Sequence, residues 1–163
     1  MLQIYIEINI HNPLFGIVAF QTDKSPNPDQ LKDNSGFNHC NIKNIWFEVN
    51  SKRYPEELLD LDWKNSKFAI AYDMLMDYKK VFVRTYQELP LIYVNPKQFK
   101  TARPFYVIDL TRQPQNTAEA KNNIILHVDF NENVPNNTIC YVCMISNSEF
   151  IYDIVNNTIR ENI

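Results

Sequence analysis

The chain has 163 residues, 45% of them hydrophobic and 13% aromatic, with ten Phe, nine Tyr and only two Gly. That composition excludes a collagen-like or largely disordered chain, and a chain of this size can bury roughly 68–70% of its unfolded surface. Sixteen basic against nineteen acidic residues leave a net charge of −3 without a long run of either sign, so the charge gives no case for nucleic acid as a partner, and no apolar run is long enough to cross a membrane as a helix.

Leu2, Ile4, Ile6, Ile8 and Ile10 fall on one face of an extended segment, with Gln3, Tyr5, Glu7 and Asn9 on the other. This is a half-buried strand, and it lacks the basic start and continuous apolar core of a signal peptide. With three Cys and no export signal, reduced thiols inside a cell are expected. Asn136-Asn137-Thr138 and Asn156-Asn157-Thr158 match the glycosylation pattern, which matters only in a secreted protein. Asn12-Pro13 turns the chain into a second strand, Phe15 to Phe20, apolar on both faces, in which Gly16 relieves crowding where strands approach. Asp23 to Gly36 is polar, Pro- and Asn-bearing, and reads as a solvated loop.

From Asn41 to Asn50, Ile45, Phe47 and Val49 alternate with Trp46 and Glu48 as a third strand, and a short piece around Arg53-Tyr54 pairs back on it. Asn65 or Ser66 then caps a helix over about 66–80, whose Phe68, Ala71, Tyr72, Leu75 and Met76 recur at helical spacing as a packing face. The segment Val81 to Arg103 is ambiguous apart from Asn95-Pro96-Lys97-Gln98-Phe99-Lys100, a single capped helical turn with Pro at its first position. Phe105 to Gln113 (FYVIDLTRQ) reads as a strand buried on both faces and central in its sheet, so Asp109 is expected to be buried and paired, with Arg112 or with backbone, as a structural contact. Ile124 to Phe130, Ile139 to Ile145 and Phe150 to Ile154 follow as strands between Asn-rich turns. Seven or eight strands and one clear helix, without strand–helix alternation, make a mainly β chain, an antiparallel sandwich or barrel in which the long connections favour a Greek-key or jelly-roll topology; the expected fold is an antiparallel jelly-roll β-sandwich with one inserted α-helix, as a single domain over residues 1–163.

Few residues gather for chemistry. Cys140-Tyr141-Val142-Cys143 has the spacing of a zinc or redox pair, which His39-Cys40 could in principle complete, but residues three apart on a strand point to opposite faces, so both are read as core thiols. His11, His39 and His127 are scattered and make no His-x-His set, and the two glycines, Gly16 and Gly36, cannot build a nucleophile elbow or phosphate loop. Glu56, Glu57, Asp60 and Asp62, like Asp23, Asp29 and Asp33, are loop carboxylates without EF-hand spacing. Trp46 and Trp63 are candidates for an interface or ligand platform, with core packing the plainer reading. Asp109, Arg112 and Gly16 are assigned structural roles. No catalytic, cofactor-binding or metal-binding residue and no cofactor is expected, and the chain is not expected to be an enzyme.

In order along the chain, Gly16 to Lys24 (GIVAFQTDK), Asn38 to Asn50, Tyr54 to Asp62 (YPEELLDLD), Lys67 to Met76 (KFAIAYDMLM), Asn95 to Lys100, Phe105 to Gln113 and Val128 to Tyr141 resemble the C-terminal jelly-roll domain of the double-jelly-roll major capsid proteins of polinton (Maverick) and adintovirus-like elements. The resemblance implies a viral or virus-derived capsid structural protein that acts by self-assembly. Its expected partners are further copies of itself, in a trimer-based homo-oligomer, or other capsid proteins, with no direct nucleic-acid or membrane partner. The expected place is a virion or capsid-like assembly, otherwise the cytoplasm or nucleus, and not the secreted fraction. Because a full protein of that family has two rolls and this chain has the length of one, a single-roll capsid component or a domesticated host relic is expected. A lectin-like or cytokine-like binding module is the alternative.

Overall fold

The computed structural model describes residues 2–6, 10, 12–22, 36–83, 94–113, 122–147, 149–154 and 156–162. His11 and the loop carboxylates Asp23, Asp29 and Asp33 lie outside these residues. Two antiparallel sheets face each other. The first has four strands in the order β1 (Leu2–Ile6), β6 (Ile124–Phe130), β3 (Ile42–Val49), β4 (Lys52–Tyr54); the second has three, β5 (Tyr106–Asp109), β2 (Pro13–Gln21), β7 (Ile139–Ser146). Within these two sheets only β3 and β4 are both sheet neighbours and chain neighbours among the described strands, whereas β1 pairs with β6 and β2 with both β5 and β7. This far-reaching antiparallel pairing is that of a jelly-roll sandwich. A separate hairpin, β8 (Glu149–Asp153) and β9 (Thr158–Asn162), pairs only with itself among the described strands; of its strands, β9 carries no apolar alternation and is not apparent from sequence.

Alternation decides which side chains meet between the sheets. Ile45, Phe47 and Val49 of β3 and Ile124, Leu126 and Val128 of β6 are buried, and they face Gly16, Val18 and Phe20 of β2 and the residues registered against these, Ile108 and Tyr106 of β5. The opposite face of the three-stranded sheet is covered in part by α1 (Ala69–Val83), which packs against β5 and sets Tyr78 edge-on to Phe15 with ring centroids 5.1 Å apart. Ala71 and Leu75 are buried, with Phe68, Tyr72 and Met76 half-buried against the core, so the expected packing stripe is correct. The helix begins three residues later than its expected start because Asp62 and Lys67 form a bridge across a tight turn, with Asp62 Oδ1 accepting from Asn65 N at 3.0 Å. The short α2 (Pro96–Thr101) carries the capping box its sequence announces: Asn95 accepts from Gln98 N, and Gln98 Oε1 accepts from Asn95 N.

With two glycines, neither at positive φ, the chain turns on other residues. Of the nine described non-glycine residues at positive φ, five are asparagines: Asn12, Asn41, Asn50, Asn137 and Asn157. Asparagine is the residue that best tolerates the left-handed region after glycine. Its amides also tie loops to strands. Asn44, buried in β3, accepts from Asp60 N, Asn131 donates to Leu61 O, and buried Asn122 bridges Ile10 O and the side chain of Asn50.

The strand at Phe105 to Gln113 departs from its expected position. β5 is an edge strand, pairing only with β2 in its sheet. Its residues are buried on both faces because Tyr106 and Ile108 look into the sandwich while Val107 lies on the face where α1 packs; a covering helix produces the same apolar run as two flanking strands.

Candidate interaction surface

Each residue singled out from sequence has a definite place. Gly16 sits under the ring of Phe47 from the facing sheet. Asp109 is exposed at the end of β5, which corrects the expectation of a buried carboxylate. Its Oδ1 accepts from Thr111 N at 2.8 Å and Thr111 Oγ1 at 2.7 Å, closing the turn. Arg112 is exposed in that turn, and no ion pair joins it to Asp109 among the described residues. Gln113 fixes the strand's exit instead, donating to Pro13 O and Leu110 O.

The two tryptophans do not form one platform. Trp63 is 1% exposed, stacked between His39 and Phe68 at 4.5 and 5.3 Å, with its indole N–H donating to Ile42 O. It is a core residue, and the reading of it as ligand platform is overturned by that burial. Trp46 lies on the outer face of the four-stranded sheet. The register sets it opposite His127, so the rings stack at 4.9 Å and 3°, and the Arg53 guanidinium covers the indole at 4.2 Å. Glu48, two residues along the same face, places Oε2 3.1 Å from His127 Nε2. The sequence shows Trp46 and Glu48 facing away from the core; it does not show that His127 and Arg53 are brought beside them, because cross-strand register is set by tertiary pairing.

Alternation along β7 separates Cys140, packed toward the core as expected, from Cys143, which is exposed on the outer face and corrects the expectation of a core thiol there. Burial pushes the Cys40 and Cys140 thiols up to about 11, which makes them poor nucleophiles and poor metal ligands at neutral pH. His39 is held below its ordinary value, first by burial and second by the charge of Lys100, and its Nδ1 accepts from Asn41 N. Among the described residues no group of three or more His, Cys, Asp or Glu side chains is placed to hold a metal. An open cleft of about 510 Å³ lies at one end of the sandwich, between Phe20, Phe130, Val134 and Cys140. Beside it Glu132 pairs with Lys64 and accepts from Asn41 Nδ2, and the Lys64 hydrogen bond lowers the Glu132 carboxyl. This cluster is exposed and holds loops together.

The larger surface feature is apolar. Ile139 and Tyr141 on the outer face of β7 are each 41% exposed, and beyond them Phe150, Tyr152, Ile154 and Ile159 of the β8–β9 hairpin are 66%, 54%, 81% and 69% exposed. Scattered exposed apolar residues are ordinary; several on one edge strand and on the hairpin that follows it in sequence mark surfaces suited to contacts.

Comparison with known proteins returns one family. A model described as the double jelly roll-like domain matches residues 2–151. No curated protein and no solved structure matches the chain. The matched span takes in the two packed sheets, both helices and the first part of the hairpin, and with the jelly-roll architecture above it shows that the chain belongs to the double jelly roll-like domain family.

Proposed function

We propose that the chain is a capsid structural protein, viral or virus-derived and of the polinton and adintovirus kind, in which one jelly roll acts by self-association. The observation that carries this reading is the pairing of a capsid-type family domain over residues 2–151 with an uncovered apolar surface on β7 and the following hairpin. The partners are further copies of the chain, in a trimer-based arrangement, or other capsid proteins, and the site of action is a virion or capsid-like assembly. No catalytic step belongs to this reading: among the described residues the titratable groups above hold the fold, and the His127–Glu48 contact has no nucleophile beside it.

The other reading is a domesticated relic or a lectin-like binding module, and Trp46 with Arg53 on an outer sheet face is what favours it. Electron microscopy of the purified chain separates the two. Regular particles, rings or arrays are expected of the capsid reading; dispersed single molecules at every concentration, with glycan binding lost in Trp46→Ala, would replace it by the binding module.

A further inference from the structure

The β8–β9 hairpin lies at and beyond the end of the family match, which stops at residue 151. Tyr152 is registered against Ile159 and Phe150 against Glu161, which puts Phe150, Tyr152 and Ile159 on one face. These side chains are more than half exposed, and the hairpin joins neither sheet. A two-stranded hairpin alone is marginal in water, and one with an uncovered apolar face needs a surface to pack on.

The chain carries a surface of matching character. Ile139, Tyr141 and Cys143 are exposed on the outer face of β7, no charged residue occurs between Ile139 and Asn147, and β7 pairs only with β2 among the described strands. The hairpin does not cover this stripe within its own chain: it joins neither sheet among the described strands, and Phe150, Tyr152 and Ile159 remain exposed, as do Ile139 and Tyr141.

We infer that the hairpin of one copy docks its Phe150, Tyr152 and Ile159 face on the outer face of β7 in a second copy. This rests on the self-association reading and names the surfaces that carry it. The exposed parts of the hairpin's apolar side chains and of the β7 stripe amount to about 700 Å² per chain, so reciprocal exchange between two copies buries roughly 1,400 Å², inside the range of specific interfaces. Passed on to a third copy rather than returned, the same contact closes a ring or extends a lattice.

Cys143 supplies the test, since it already stands in the stripe. Single cysteines at Phe150→Cys, Tyr152→Cys and Ile154→Cys are oxidised under mild conditions and resolved without reductant. At least one is expected to give a covalent dimer that disappears when Cys143→Ser is added. A disulfide within one chain, a dimer that persists with Cys143→Ser, or no cross-link from any of the three would overturn the inference. The double variant Phe150→Glu, Ile159→Glu, checked for an unchanged thermal melt, separates this inference from the reading beneath it. If the native chain associates and the variant becomes monomeric, the inference holds; if both associate alike, the docking fails and self-association stands; if the native chain is itself monomeric, both fail.

Discussion

Phe47, at the centre of the four-stranded sheet, lays its ring against Gly16 of the facing sheet, so that a Cβ on Gly16 would stand 2.7 Å from Phe47 Cζ and 2.9 Å from Cδ2. The ring is fully buried, so a shift away from Gly16 would have to displace other core side chains. Gly16→Ala should therefore lower stability by about 1–3 kcal/mol through overpacking, measured by denaturant unfolding. Phe47→Leu added to Gly16→Ala should recover part of that loss, and a double variant no more stable than the additive expectation would show that the clash lies elsewhere.

His39 should make stability depend on pH between neutrality and mild acid. Its folded pKa is lowered by burial and by Lys100, so the unfolded chain takes up a proton at a higher pH than the folded one. The stability tied to the neutral ring is then fully present above about pH 6.5, the unfolded value, and falls as pH drops through that value toward the folded pKa. In His39→Phe, which keeps a ring stacked on Trp63, the decline in melting temperature from pH 7 to 5 should be shallower than in the native chain. Parallel profiles would remove His39 from the account.

Asp109 closes an exposed turn through Thr111. Asp109→Ala should therefore cost below about 1 kcal/mol, and Arg112→Ala, exposed and without a described partner to lose, should stay within about 0.5 kcal/mol of the native chain. Chemical denaturation of both variants checks this; a loss of several kcal/mol at Asp109 would mean that the carboxylate is paired in a way its exposure does not reveal.

Asn95 holds the start of α2, whose Phe99 is fully buried among Trp63, Phe68 and Tyr72. Asn95→Ala should cost about 1 kcal/mol. Asn95→Ser or Asn95→Asp, which keep an accepting oxygen, should recover most of it in the same unfolding experiment.

Much of the fold could be read in the sequence because two periods dominate it. Period two placed Ile45, Phe47 and Val49 inside and Trp46 outside, and helical spacing chose Ala71 and Leu75 as the buried face of α1. The capping box at Asn95 is local chemistry and is spelled out by neighbouring residues. What could not be read depends on elements far apart in sequence. Val107 owes its burial to a face on which a helix packs, so the apolar run around Asp109 suggested a central strand where an edge strand stands. Trp63 and Trp46 look alike in sequence, yet one stacks in the core and the other under Arg53. The hairpin escaped because β9, TIREN, has little apolar content of its own and is a strand only by pairing with β8.

The central claim is self-association, and sedimentation equilibrium of the purified full chain over a wide concentration range tests it most directly. The account predicts a mass that rises from the 19.3 kDa monomer to a discrete multiple of it, or to larger closed assemblies. A mass of 19.3 kDa at every concentration would contradict it.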